Sequence, residues 1–344
     1  MIEPAVQCHD LTKFFGDVPA VHGVSLMVEE GSLMALVGPS GCGKTTTLRL
    51  IAGFEAPDSG TVAIRGRIVS SPANSVAPER RRVGMVFQDY ALFPHLTVRA
   101  NVGFGLSRGQ DRTGRVDALL ELVGLAGISS RLPHALSGGE QQRVALARAL
   151  APNPAVVLMD EPFSNLDASL RAKVRSEVKR ILKDTGTTAV FVTHDQDEAL
   201  SLADQVGVML AGHVVQVGTP EEIYAGPASL AVAAFVGDAN LLSGVAAGTK
   251  VDTAIGVLRT TGAASGSVKV LVRPEALHLR RAGPGEPSVE VVDREFYGHD
   301  QVIRMRLPSG LLLRARCGPD QTVEPGDLVT VSVPTAVPVF PAEE

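Results

Sequence analysis

Leu33-Met34-Ala35-Leu36-Val37-Gly38-Pro39-Ser40-Gly41-Cys42-Gly43-Lys44-Thr45 is the stretch on which the fold turns. A short apolar run without polar alternation marks a strand buried on both faces. It passes into a glycine-rich loop with the full phosphate-binding pattern, and then into an amphipathic helix expected over Thr46 to Ala52. The chemistry needs these residue types in this order. Glycines let successive backbone N–H groups converge on phosphate oxygens, and the helix start adds favourable potential. Lys44 then reaches the β and γ phosphates and Thr45 binds Mg2+. Gly38, Pro39, Ser40, Gly41, Cys42, Gly43, Lys44, Thr45 and Thr46 are thus the expected phosphate contacts. A lowered thiol pKa is one reading of Cys42 among those N–H groups; inert filler is the preferred one.

Three more apolar runs end in residues that can do chemistry. Val83 to Phe87 runs into Gln88, Ala155 to Met159 into Asp160 and Glu161, and Ala189 to Thr193 into His194. Ligands of open α/β sheets bind outside the carboxyl ends of the strands, so four such ends predict one site. Asp160 is the expected metal ligand, acting through water, and Glu161 the general base. The alternative for Glu161 is that it only extends the metal shell. Gln88 is expected on Mg2+ or the attacking water, and His194 on the γ-phosphate.

With 344 residues, 45% apolar and 20% charged, the chain has enough apolar material for about two globular domains. A mean hydropathy of +0.17 calls for a check on membrane spans. No apolar run approaches the roughly 20 residues that a spanning helix needs. The start, Met1-Ile2-Glu3-Pro4, lacks the basic flank and apolar stretch of a secretory signal, so a cytosolic chain is expected. A net charge of −5 argues against an electrostatically driven nucleic-acid binder. Cys8, Cys42 and Cys317 are too few and scattered for a disulfide framework and are expected to be reduced thiols.

Between about 94 and 150 the apolar period becomes helical, in Arg115 to Val123 and in Gln142 to Leu150, which predicts a helical insertion in the sheet domain. A further helix, Leu170 to Lys183, carries a charged face expected to be solvated. Beyond Gly237 short β-like segments alternate with Gly and Pro. Ile303 to Leu307, the turn Pro308-Ser309-Gly310 and Leu311 to Cys317 predict a hairpin. Arg304, Arg306, Arg314 and Arg316 would face one side of it and Ile303, Met305, Leu307, Leu313 and Ala315 the other. A solvated arginine face is preferred there over an oxyanion or subunit contact. The expected domains are 1–237 and 238–344, the second a small β-barrel.

Leu136-Ser137-Gly138-Gly139-Glu140-Gln141-Gln142-Arg143 is a second helix start suited to phosphate, with backbone N–H groups and the Ser137 hydroxyl expected to be free. Two such starts but one lysine-bearing loop resemble the nucleotide-binding subunits of ABC transporters. The resemblance covers residues 5 to about 237 with the motifs in order. It implies an α/β, RecA-like P-loop NTPase core with a helical subdomain. It further implies that Ser137, Gly138, Gly139 and Glu140 complete the site of a second copy, so that two chains sandwich two ATP molecules and open on hydrolysis. Ser164-Asn165-Leu166-Asp167 resembles the loop that crosses this interface. Asn165 stands where Ala is common, with no functional change expected, and Asp167 is a nucleotide-site residue. Phe15 resembles the aromatic that stacks on adenine; Phe14 is its rival, and core packing the bland alternative for both.

As in the family's bacterial importers, the resemblance places the transport path in separate permease subunits, fed by an extracytoplasmic solute-binding protein, with this chain peripheral on the cytoplasmic side of the membrane. The segment Asp89 to Val98 is similar to the groove that receives a permease helix. The C-terminal region, with Leu271 to Leu277 near its start, resembles the OB-like TOBE regulatory domain of such importers. Ser70 to Arg82, Phe93, Leu96 and Phe296 to Asp300 look most like ferric-iron importers, with polyamine, sulfate and sugar import as alternatives. A soluble ABC ATPase acting on DNA or ribosomes would carry long coiled coils or a second cassette.

Overall fold

The computed structural model describes residues 3–106 and 112–342, so Met1 and Ile2 of the amino-terminal reading lie outside the described residues. Contacts divide the chain into two units, Met1–Ile223 and Tyr224–Glu344.

The first unit opens with the hairpin β1 (Val6–Phe15) and β2 (Val18–Val28), followed by β3 (Leu33–Val37) and α1 (Lys44–Ala52). β4 (Ser59–Ile64), β5 (Arg67–Ser70) and β6 (Val83–Val86) come next, then α2 (Val98–Val102), α3 (Arg112–Leu122) and α4 (Gly138–Leu150). β7 (Val156–Asp160), α5 (Ala168–Asp184), β8 (Ala189–Thr193), α6 (Gln196–Leu202), β9 (Gln205–Leu210) and β10 (His213–Gly218) complete it, and α7 (Pro220–Ala225) spans the division. The division lies ahead of position 237, where the sequence changes character.

A six-stranded sheet runs β10-β9-β3-β8-β7-β6, parallel except for the antiparallel edge strand β10. β3 and β8 are buried along their whole length, as strands covered on both faces must be. Register then levels their ends. Val37 pairs with Thr193, Val192 with Asp160, and Met159 with Val86, so Gly38, His194, Glu161 and the segment into Gln88 leave one sheet edge side by side. A second, antiparallel sheet, β2-β1-β4-β5, shares a core with β3 and α1 through Leu11, Val24, Leu36, Leu48 and Val62. The helices α2 to α4 lie between the paired strands β6 and β7, which makes them an insertion.

Helix starts differ from the periodic signal. α1 begins at Lys44 rather than Thr46, and α4 at Gly138 rather than Gln142, because the first turns carry the polar and glycine residues that bind or cap and show no apolar period. Among the described residues no helix is long and apolar enough to cross a membrane.

In the second unit α8 (Leu230–Val236) precedes the long hairpin β11 (Asn240–Thr253) and β12 (Gly256–Val272). β13 (His278–Arg281), β14 (Val289–Phe296), β15 (Gln301–Arg306), β16 (Leu312–Cys317), β17 (Leu328–Ser332) and β18 (Val339–Pro341) follow. They form two antiparallel sheets, β11-β12-β18 and β13-β17-β14-β15-β16, around one core that includes Leu242, Val270, Val291, Ile303 and Met305. The predicted hairpin is β15–β16, and its apolar face is buried as expected. Its arginine face is not simply solvated. Arg304 pairs with Asp293 and Glu295, Arg314 with Asp238 and Arg316 with Asp300. Arg304 stands directly opposite Arg314, an arrangement that costs stability unless acids intervene, and β14 supplies two of them.

Candidate functional site

Gly43 closes the phosphate loop at φ +103° and caps α1 without any side-chain hydrogen bond, which leaves the first helix N–H groups to a ligand. A Cβ there would also lie 2.2 Å from the Ala20 carbonyl oxygen of β2. Gly43→Ala is therefore expected to lower stability by about 2 kcal/mol or more, read as a fall in the urea midpoint. Lys44 is buried, its Nζ donating to the carbonyls of Gly38 (2.7 Å) and Pro39 (2.9 Å). Pro39, Ser40 and Gly41 are exposed at the rim, and Thr46 is half-buried on the first turn of α1.

Cys42 corrects the idea of an activated thiol. It is buried, and burial pushes its pKa up despite the pull of the Lys44 ammonium 3.8 Å from its sulfur. Cys8, Cys42 and Cys317 are all free thiols.

Thr45 Oγ1 donates to Asp160 Oδ1 at 2.9 Å, bringing the loop hydroxyl and the β7 carboxylate together. Burial raises the Asp160 pKa, opposed by the Thr45 hydrogen bond and the Arg49 charge. A hydroxyl beside a partly desolvated carboxylate is a donor set that fits a hard divalent cation.

Glu161 has φ +43°, a left-handed conformation that costs a non-glycine residue about 1–2 kcal/mol. Its N–H donates to the Val192 carbonyl at 3.0 Å, and its own carbonyl accepts from Ser164 N (3.2 Å) and Oγ (3.0 Å). That pinned backbone aims the carboxylate at His194, with Oε2 3.2 Å from Nδ1. A cavity of about 60 Å3 beside the pair, lined by Glu161, Thr193, His194 and Asp195 among others, has room for water.

Gln88 is exposed, and its carbonyl accepts from Asn165 Nδ2 at 2.8 Å. Tyr90 (φ +62°) and Ala91 (φ +47°) follow in consecutive left-handed conformations, each costing about 1–2 kcal/mol. Arg148 of α4 donates to both carbonyls, at 2.8 and 2.6 Å, and a charged donor contributes about 1.5–3 kcal/mol per bond. Strain and restraint are comparable in size. Sequence reasoning named Asn165 without giving it a role and missed Arg148, whose one visible signal was a cation at an otherwise apolar stretch of α4.

At the start of α4 the Ser137 hydroxyl is engaged rather than free. It donates to Glu140 Oε2 at 2.8 Å and accepts from the Glu140 N–H, while the Ser137 N–H donates to the same carboxylate at 2.7 Å. Ser-x-x-Glu is a capping box, and phosphate would have to displace the Glu140 carboxylate from it. Those two donors hold the Glu140 carboxyl below its usual range. Gly138 packs toward Leu166, and a Cβ on Gly139 would lie 2.9 Å from Val174 Cγ2 of α5, so helix packing itself requires this glycine. Asp167 caps α5, its Oδ1 accepting from Leu170 N (2.9 Å) and Ser169 Oγ (2.6 Å). Phe15 and Phe14, at the end of β1, are 50% and 41% exposed, so neither is a core residue.

The ABC transporter family profile matches residues 21–164, and a TOBE domain profile matches residues 270–340. The chain is 47% identical to the Fe(3+) ions import ATP-binding protein FbpC 1 of Rhodococcus jostii (strain RHA1), over 98% of its own length and 99% of that protein's. It is 44% identical, over 97% and 95%, to the sulfate/thiosulfate import ATP-binding protein CysA 2 of Chromobacterium violaceum. An ATP-binding cassette solved as a dimer in a post-hydrolysis state with ADP and Pi matches 62% of this chain and 98% of its own, with a TM-score of 0.54 and 32% identity. With phosphate loop, second helix start and C-terminal unit all accounted for, the chain belongs to the ATP-hydrolysing import subunits of the ABC transporter family.

Proposed function

We propose that this subunit hydrolyses MgATP to drive ferric-iron import. Lys44 and the loop from Gly38 to Thr46 bind the phosphates, and Phe15 stacks on adenine. Thr45 and Asp160 hold Mg2+, with Gln88 at its edge; bound there, the ion neutralises charge on the phosphate oxygens. Glu161 takes the proton of the attacking water, and His194 hydrogen-bonds the γ-phosphate. Ser137, Gly138, Gly139 and Glu140 of a second copy close the pocket, next to Asp167. The two chains separate once the γ-phosphate they share is gone, and that stroke passes to permease subunits supplied by an extracytoplasmic binding protein. The subunit works on the cytoplasmic face of the membrane, with residues 1–237 as its ATPase domain and 238–344 as a regulatory domain.

What carries this reading is the levelled edge, where the Lys44 loop, the Thr45–Asp160 pair and the Glu161–His194 pair emerge from neighbouring strands. The iron assignment is supported by whole-length likeness to a ferric-iron import protein. In cells lacking the chain, uptake of labelled ferric iron is expected to fall to background and to return with the wild-type gene but not with Lys44→Ala. Intact iron uptake with lost sulfate or polyamine uptake would move the assignment to that solute.

A further inference from the structure

The four residues Gln88 to Ala91 leave β6 at the edge of the site, and side chains from two other elements grip three of their carbonyls. Asn165, in the loop between Glu161 and α5, holds the carbonyl of Gln88, and Arg148, near the end of α4, holds those of Tyr90 and Ala91. Two of the gripped residues are in the left-handed conformation that a free chain would leave. Tyr90 also reaches the other end of α4. Its ring is buried, and a Cβ on Gly138 would lie 4.0 Å from its hydroxyl. The segment is thus bonded to the end of the helix that begins at Ser137 and to the loop that begins at Glu161, with the Tyr90 ring lying near that helix's start.

We propose that Asn165 and Arg148 are positioning residues that latch the Gln88–Ala91 backbone, so that the place of the Gln88 side chain follows both α4 and the loop after Glu161. The proposal rests on the reading of Gln88 as a site residue. The latch reverses the expectation that an Asn in place of the common Ala is without consequence.

The test is amide hydrogen exchange on the full chain, read in peptides spanning 88–95, together with steady-state MgATP hydrolysis. The Tyr90 N–H, which donates to the Phe87 carbonyl at 2.9 Å, reports directly on the turn. Asn165→Ala removes an exposed side chain and is expected to speed exchange there about three- to tenfold. Arg148→Met, which keeps the apolar stem, is expected to speed it about tenfold or more, with Arg148→Lys in between. In each variant kcat falls while KM for MgATP holds, since the phosphates are bound by the loop before α1. Unchanged exchange in β3 and α1 separates release of the latch from general loosening. Exchange within about twofold of wild type in both Asn165→Ala and Arg148→Met overturns the proposal, and Asn165→Ala alone decides it if the arginine variant misfolds. Gln88→Ala with undiminished kcat would instead remove Gln88 from the site and leave the exchange result standing.

Discussion

Glu161→Gln is expected to lose ATP hydrolysis by about 100- to 10,000-fold while still binding MgATP, because the amide fills the same space but accepts no proton. The unusual backbone of residue 161 should survive the exchange. Its N–H bond to Val192 and its carbonyl bonds to Ser164 do not involve the side chain, and the amide oxygen can still accept from His194, though more weakly than the carboxylate. Nucleotide that binds without turning over accumulates the closed state, so size-exclusion chromatography with MgATP should show a dimer that wild type does not retain. Turnover close to wild type would remove Glu161 as the base. Activity regained at high Mg2+ would point instead to a carboxylate that only extends the metal shell, since added cation can offset a lost ligand charge but not a lost proton acceptor.

The sheet edge that places Glu161 was legible because continuous apolar runs are unambiguous when they end in glycine or charge. β3 and β8 match their runs residue for residue, and the parallel register follows from burial on both faces. What stayed hidden depends on which partner a polar side chain finds. Ser137 has the composition of a phosphate ligand and of a capping box at once, and only the geometry shows that Glu140 holds its hydroxyl. Asn165 and Gln88 are far apart in sequence and meet because β6 and β7 are neighbours. In the same way Arg304 of the hairpin finds two acids on β14, which alternation along its own strand cannot reveal. For Cys42 the less favoured reading, a lowered thiol pKa, fails because proximity to a cation lowers a thiol pKa only where burial does not outweigh it, and here burial wins.

Lys44→Ala chains mixed with Ser137→Arg chains are expected to regain hydrolysis that neither has alone. In a two-fold dimer each pocket takes its lysine from one chain and its serine turn from the other. A mixed dimer therefore has one pocket with both halves intact and one with both damaged. Random pairing makes about half of the dimers mixed, so an equimolar mixture should approach about a quarter of wild-type activity. Folding is not at risk from the arginine. Ser137 is an exposed helix cap whose loss costs about 1 kcal/mol, and α4 stays anchored by Gly139 against Val174. If coupling between pockets suppresses turnover, nucleotide trapped at one pocket per mixed dimer still reports the shared site. Activity no greater than the sum of the two inactive parents, with one-pocket trapping also missing from confirmed mixed dimers, would mean that each chain owns its whole site. The Ser137–Glu140 bonds would then be the complete role of that turn, a capping box and nothing more.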